Sequence, residues 1–197
     1  MKLVIATANR GKFSEFTAFL NNTGIDLYSL ADFASMPEII EDGSSFLENS
    51  LIKACAVSSF TGLPALADDS GLEVDALDGR PGVMSARFAP TSEERNRKLL
   101  NLLKDVDDEF RTARFVCALA LVRPDDFEWT TIGICEGSIT RKPVGQAGFG
   151  YDPVFYYKPL GATFAEIPKE TKNRISHRGI ALAAFKEAII KNGILHK

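Results

Sequence analysis

No apolar run in this chain approaches the roughly 20 residues that cross a bilayer. The N-terminal MKLVIATANRGK has an apolar stretch too short for a secretory signal, and no small-residue cleavage site follows it. A soluble, cytoplasmic protein with no membrane partner is expected. Cysteine is scarce: Cys55, Cys117 and Cys135 are odd in number, far apart and set among apolar residues. That pattern excludes a disulfide framework and a cysteine metal site, and reads as reduced core thiols. There is no basic excess either, because 23 Lys and Arg face 26 Asp and Glu for a net charge of −3. Nucleic-acid binding through a broad basic face is therefore excluded as a partner class. A small polyanion is not, since it needs only a few local cations. Internal repeats, low-complexity tracts and flexible linkers are also missing. With 45% hydrophobic content, residues 1–197 are expected to form a single domain, or two intimately joined lobes, around a sizeable core.

The chain that remains alternates helix and strand signals. Lys2–Ala6 reads as a short buried strand, and a polar turn leads to a helix from about Gly11 to Asn22, stopped by Gly24. A second strand is predicted near Ile25–Leu30. Ser45-Phe46-Leu47-Glu48 is a capping box opening a helix to about Phe60, with Leu47, Leu51, Ala54 and Cys55 on its apolar face. Pro64–Ala67 reads as a strand running into an Asp68-Asp69-Ser70-Gly71 turn, with Leu72–Leu77 as a further strand. Thr91-Ser92-Glu93-Glu94 is a second capping box, before a helix carrying Leu99, Leu100 and Leu103. Ala113–Val122 and Trp129–Thr140, linked through Pro124-Asp125-Asp126, predict a hairpin. Pro153–Tyr157 follows as a strand. A last helix starts at Ser176, presents Ile180, Leu182, Ala184, Phe185, Ala188 and Ile189 around a wide apolar face, and is capped by Gly193. The sum is an α/β protein with a long mixed, partly antiparallel sheet flanked by helices.

Four polar clusters interrupt this core-forming sequence. Thr7-Ala8-Asn9-Arg10-Gly11-Lys12 lies between a strand and a helix, where unpaired N–H groups, the helix dipole and Lys12 suit a phosphate. It is not a Walker A loop, because Ala6 and Phe13 occupy positions that need glycine and Ser/Thr. An ordinary strand–helix turn with a surface lysine fits it equally. Asp68 and Asp69 offer carboxylates of the kind Mg²⁺ prefers, and Glu41 in Glu41-Asp42-Gly43 is a candidate second ligand. An Asx turn with solvated acids is the plainer account of Asp-Asp-Ser-Gly. Asn49 and Lys53, spaced i, i+4, share a helix face away from the central apolar stripe; such a lysine either meets a phosphate or is solvated. Gly148-Phe149-Gly150-Tyr151-Asp152-Pro153 allows close backbone approach and offers aromatic faces to a base, or is a tight turn with its aromatics in the core. Ser176-His177-Arg178-Gly179 opens a helix with Ser176 as N-cap, and Lys172 lies just upstream.

Taken together and in this order, with Glu41–Asn49 and Pro81–Arg87 between them, the clusters resemble the inosine/xanthosine triphosphate pyrophosphatase family over Thr7 to Gly179. The resemblance implies an ITPase-like fold of two lobes with a central cleft, Mg²⁺ as cofactor and a homodimer. It also implies hydrolysis of ITP, dITP and XTP to monophosphate and pyrophosphate, which cleanses the nucleotide pool. Asp69 would then be catalytic base and metal ligand, with Glu41 a further ligand and Lys53 a catalytic cation. Thr7, Ala8, Asn9, Arg10, Gly11, Lys12, Lys53 and Lys172 would contact phosphates. Ser70, Phe149, Gly150, Tyr151, Asp152, His177 and Arg178 would hold the nucleotide, chiefly its base. Ala8 departs from the family's usual glycine, and alanine fits there unless that backbone takes a positive φ. Two rival functions are a pyrophosphatase for pyrimidine or modified nucleotides on the same fold, and a nucleotide sensor without turnover.

Overall fold

The computed structural model describes every residue except Asn22, Ser35, His196 and Lys197. The order is β1 (Lys2–Ile5), α1 (Arg10–Leu20), β2 (Asp26–Ser29), α2 (Phe46–Thr61), β3 (Ala65–Val74), α3 (Ser92–Leu102), β4 (Thr112–Val122), β5 (Glu128–Ile139), β6 (Phe155–Tyr157), β7 (Ala162–Thr163), α4 (Lys169–Ile175) and α5 (His177–Asn192). The strands form one seven-stranded mixed sheet in the order β2-β1-β3-β4-β5-β6-β7. β1 pairs in parallel with β2 and β3, so α1 and α2 supply the crossovers that parallel neighbours need. β5, β6 and β7 pair antiparallel. Between β4 and β5, the Arg123 N–H donates to the Phe127 carbonyl at 2.9 Å, closing the expected hairpin.

The chain divides into two compact units, the first made of Met1–Asp69, Cys117–Gly133 and Arg178–Lys197. In it, β1 is a short apolar run buried on both faces, and its period of two separates two cores. Leu3 and Ile5, with Leu66 of β3, pack against Phe16 and Leu20 of α1 and Leu182 and Phe185 of α5. Val4 and Ala6, with Ala65 and Ala67 of β3, pack against Ala54 and Val57 of α2. The second unit, Ser70–Val116 and Ile134–His177, is built around Leu72, Leu99, Tyr151, Phe155 and Phe164. Arg111 is buried within it and donates to the carbonyls of Leu103, Ile139 and Thr140 at 2.6, 2.8 and 2.8 Å. One guanidinium thereby satisfies three carbonyls, one just past α3 and two at the end of β5.

Several expectations hold locally. Thr91 Oγ1 accepts from the Glu94 N–H and Glu94 Oε2 from the Thr91 N–H, at 3.2 and 3.0 Å, completing the second capping box. Gly193 takes φ 56° and returns its N–H to Ile189 at the end of α5. Among the described residues no cysteine is in a disulfide, Cys117 and Cys135 are buried, and burial pushes the Cys135 thiol up to about 12. Ala8 is not among the positive-φ residues, so its Cβ is compatible with the turn.

Other expectations need correction. α1 ends at Leu20, short of the predicted end at Asn22, which lies outside the described residues. At Ser45 only half the box forms: Ser45 Oγ accepts from the Glu48 N–H, but Glu48 Oε2 reaches Ser44, whose N–H and hydroxyl both donate to it. Asp68-Asp69-Ser70-Gly71 is no turn, because β3 runs unbroken through it; the apolar alternation on both sides outweighs the turn preference of the acids. On α2 the buried positions include Asn49 and Lys53, which therefore do not lie away from the packed face. α5 buries Ala181 and leaves Ile180 exposed. β7 and α4, two and seven residues long, are too short for a periodic signal.

Candidate active site

In the first unit, β3 delivers two adjacent carboxylates to opposite faces of the sheet. Asp68 follows Leu66 onto the α1 and α5 side, and its side chain is fully buried. Lys12 Nζ lies 2.9 Å from Asp68 Oδ2, and Arg178 donates to the same oxygen from Nη2 and Nε at 3.0 and 3.2 Å. Arg178 Nη1 also binds Glu15. Burial alone would raise the Asp68 pKa, but the charges of Lys12 and then Arg178 outweigh it and hold the carboxyl far below its usual range. For Arg178, burial works to lower the pKa, and Asp68, Cys117 and Glu15 together more than reverse it.

Asp69 follows Ala65 and Ala67 onto the α2 side. The small side chains there let α2 lie close, which is what brings its polar residues into range. Asn49 Nδ2 donates to Asp69 Oδ2 at 3.1 Å, and Lys53 Nζ sits 3.8 Å from Asp69 Oδ1 and 2.6 Å from Glu41 Oε2. Lys53, only 8% exposed, is thus a buried cation facing two carboxylates. Burial raises the Asp69 pKa, opposed by Lys53, Lys12 and the Asn49 hydrogen bond. Its carboxylate is therefore more basic than an ordinary aspartate, in the direction general-base work needs.

The turn before α1 is arranged differently from the expectation of open helix-start amides. Asn9 is the N-cap, and its Oδ1 accepts from the Gly11 and Lys12 N–H groups at 2.8 and 3.1 Å. Asn9 N–H in turn donates to Thr7 Oγ1 at 3.2 Å. The loop is thus shaped by its own side chains, with Ala8, Asn9 and Arg10 exposed and Lys12 drawn inward to Asp68.

The second unit holds the aromatic cluster. Asp152 Oδ2 accepts from the Phe149 N–H at 2.8 Å and is ion-paired with Lys172. The Lys172 ammonium also lies 4.9 Å from the centre of the Phe149 ring. Lys172 is therefore a buried partner of Phe149 and Asp152, not part of an exposed basic rim. Phe149 itself is 41% exposed, whereas Tyr151 is buried with its hydroxyl donating to the Ser85 carbonyl at 2.9 Å. Of the two aromatics, only Phe149 offers a face to a flat ligand. His177 is buried and stacked on Phe115, with centroids 4.7 Å apart and planes 15° from parallel. Ser70 follows Asp69 on β3, half-buried.

Two residues of this second site had no role in the sequence reading. Asn96 of α3 donates to the Gly150 carbonyl at 3.1 Å, and Ser85 Oγ accepts from the Leu72 N–H at 2.9 Å while its own carbonyl holds Tyr151. No local pattern could have signalled either, since their partners lie 54 and 13 residues away. Gly148 is required here on two counts: its φ is 79°, and a Cβ would lie 2.0 Å from Asp152 Oδ2. Gly148→Ala is expected to displace Asp152 and with it the Phe149 backbone. If this loop binds the nucleotide, KM for ITP rises about tenfold, or ~1.4 kcal/mol. Steady-state kinetics check this, and an unchanged KM would remove the loop from substrate binding.

Among the described residues there is no group of three or more His, Cys, Asp and Glu side chains poised as a metal cage, and no helix is long and apolar enough to cross a membrane. The donor chemistry still suits a hard divalent cation: Asp69 and Glu41 offer carboxylate oxygens that converge on one positive point, the Lys53 ammonium.

Comparison with known proteins agrees with the resemblance carried by the four clusters. The chain is 50% identical over 196 residues, covering 98% of each chain, to a dITP/XTP pyrophosphatase of Geobacter sulfurreducens. It is 52% identical to a dITP/XTP pyrophosphatase of Thermus thermophilus, over 95% of this chain and 91% of the relative. The solved structure of a HAM1 protein from Coxiella burnetii superposes with a TM-score of 0.90 at 42% identity, covering 97% of this chain and 99% of the other. Residues 3–188 match the Ham1 family model. A match of this extent means that the chain belongs to the Ham1 family.

Proposed function

We infer that this protein is a nucleoside triphosphate pyrophosphatase that hydrolyses the deaminated purine nucleotides ITP, dITP and XTP to monophosphate and pyrophosphate. The observation that carries this reading is the near-full-length identity to relatives bearing that activity in their names. The pairing of Asp68 and Asp69 on β3 with Lys12 of α1 and Lys53 of α2 supports it.

The role of each residue follows from its surroundings. Asp69, made more basic by burial, accepts the proton of the attacking water at the α-phosphorus. Lys53 and Lys12 offset charge that develops on the phosphate oxygens, in a setting where few waters screen them. Thr7 to Lys12 form the phosphate loop, and a phosphate bound there competes with Asp68 for Lys12. Asp69 and Glu41 would hold Mg²⁺. The ion supplies charge neutralisation of the triphosphate and of the pyrophosphate leaving group.

Phe149 stacks on the base, and Ser70, Gly150, Tyr151 and Asp152 shape the surface around it. Lys172, grouped with Phe149 and Asp152, is assigned to the base end rather than to the phosphates. His177 and Arg178 are assigned to recognition of the base. Donors on this side match the 6-carbonyl of hypoxanthine and xanthine and oppose the amino group of adenine, a contrast worth about 10⁴-fold. A cytoplasmic homodimer completes the proposal.

Pyrophosphate release measured across ITP, XTP, GTP, ATP, UTP and dTTP with Mg²⁺ tests this. ITP and XTP are expected to lead ATP by the margin above. Comparable turnover of all six would overturn the specificity, and faster UTP or dTTP would favour the pyrimidine enzyme. Tight ITP binding without turnover would make the protein a sensor.

A further inference from the structure

We propose that Asn49 is a positioning residue that aims the Asp69 carboxylate and ties the Glu41–Gly43 segment to the same point. The inference rests on the reading of Asp69 as the base. Asn49 is 4% exposed and lies on α2, one helical turn before Lys53. Its two amide atoms are spent on two different partners. Nδ2 donates to Asp69 Oδ2 at 3.1 Å, and Oδ1 accepts from the Gly43 N–H at 2.9 Å.

These contacts fix each other. A backbone N–H can only donate, so Gly43 demands the amide oxygen, and the amide nitrogen is left to face the carboxylate. Were the amide flipped, its nitrogen would meet a donor and its oxygen a negative charge. Gly43 thus sets the sense of the hydrogen bond at Asp69 from 26 residues away in the chain. The side chain of any other residue would obstruct this, because a Cβ on Gly43 would lie 2.8 Å from both Asn49 Oδ1 and Glu48 Cβ.

The consequence for Asp69 is directional. Its Oδ2 is committed to a neutral donor, which steers Oδ1 towards the Lys53 side, where Lys53 also meets Glu41. A carboxylate without that anchor rotates about its terminal torsion, which is broad for aspartate. Asn49 therefore contributes to turnover through the angle of the base, and it contacts no substrate.

Two variants separate aim from mere packing. Asn49→Leu removes both hydrogen bonds, and Asn49→Asp keeps the acceptor for Gly43 while losing the donor to Asp69. For ITP with Mg²⁺, both are expected to lose about 100-fold in kcat, the scale of an ångström-level misplacement. KM should stay within about threefold for Asn49→Leu, which adds no charge and loses no binding contact. A kcat within twofold of the wild type in either folded variant would overturn the proposal, as would a rise in KM with kcat unchanged. Failure of both variants to fold would also overturn it, by making Asn49 a structural residue. Asp69→Asn run in parallel separates the two readings: its retained activity would sink the base assignment itself, whereas its loss beside a normal Asn49→Leu sinks only the role of Asn49.

Discussion

Asp69→Asn is expected to lower kcat for ITP by about 10²–10⁴-fold, the usual contribution of a positioned general base. The amide that replaces the carboxylate has nearly the same shape, so β3 and its packing survive. It can still accept from Asn49 Nδ2, but it then turns an NH₂ group towards the Lys53 ammonium, 3.8 Å from the present Oδ1. That exchange removes the proton acceptor without emptying the site, and Lys53 keeps Glu41 as a partner at 2.6 Å. ITP binding should persist, or tighten, because a negative charge has been taken from beside a triphosphate. Single-turnover kinetics and calorimetric titration with ITP separate the two effects. Near-normal turnover in the variant would strip Asp69 of its proposed role.

Asp68→Asn is expected to act on stability instead, by about 3–5 kcal/mol, the scale for removing one partner of a buried ion pair. Arg178 would keep Glu15, but Lys12 would be left beside a neutral amide within a buried network. The pH dependence has a definite sign. The folded-state pKa of Asp68 lies far below the unfolded value of about 3.9, so its stabilisation is complete above that value and is lost as pH falls through and below it. The difference between wild type and variant should therefore be full at pH 7 and shrink in acid below about pH 4. Urea unfolding at the two pH values measures it. A difference at pH 7 below about 1 kcal/mol would make the pair no stronger than a surface bridge.

How much of this was legible beforehand depends on the range of each interaction. The Thr91–Glu94 box, the buried β1 run and the β4–β5 hairpin are written in residues a few positions apart, and each forms as read. The composition of the four polar clusters was legible too. What each side chain does was less so, because that is decided by partners far along the chain. Asn49 and Lys53 looked like a solvated face, since the acids they meet lie on β3 and in the segment before α2. Tyr151 was open between a stacking surface and a core aromatic, and Ser85, 66 residues away, decides it by taking its hydroxyl. The Asp68–Gly71 segment was misread for the opposite reason: a strong local turn preference was overruled by strand pairing on either side.

The alternation of Leu66 with Ala65 and Ala67 has one more consequence. β3 is locked to β1 with Val4 opposite Ala65 and Ile5 opposite Leu66. A slip of one residue would drive the leucine into the alanine-lined side beneath α2 and leave a void on the other. The same slip would exchange the two acids. Two small apolar side chains and one large one thus act as a key for the strand, and they determine which aspartate becomes the anchor and which the reagent.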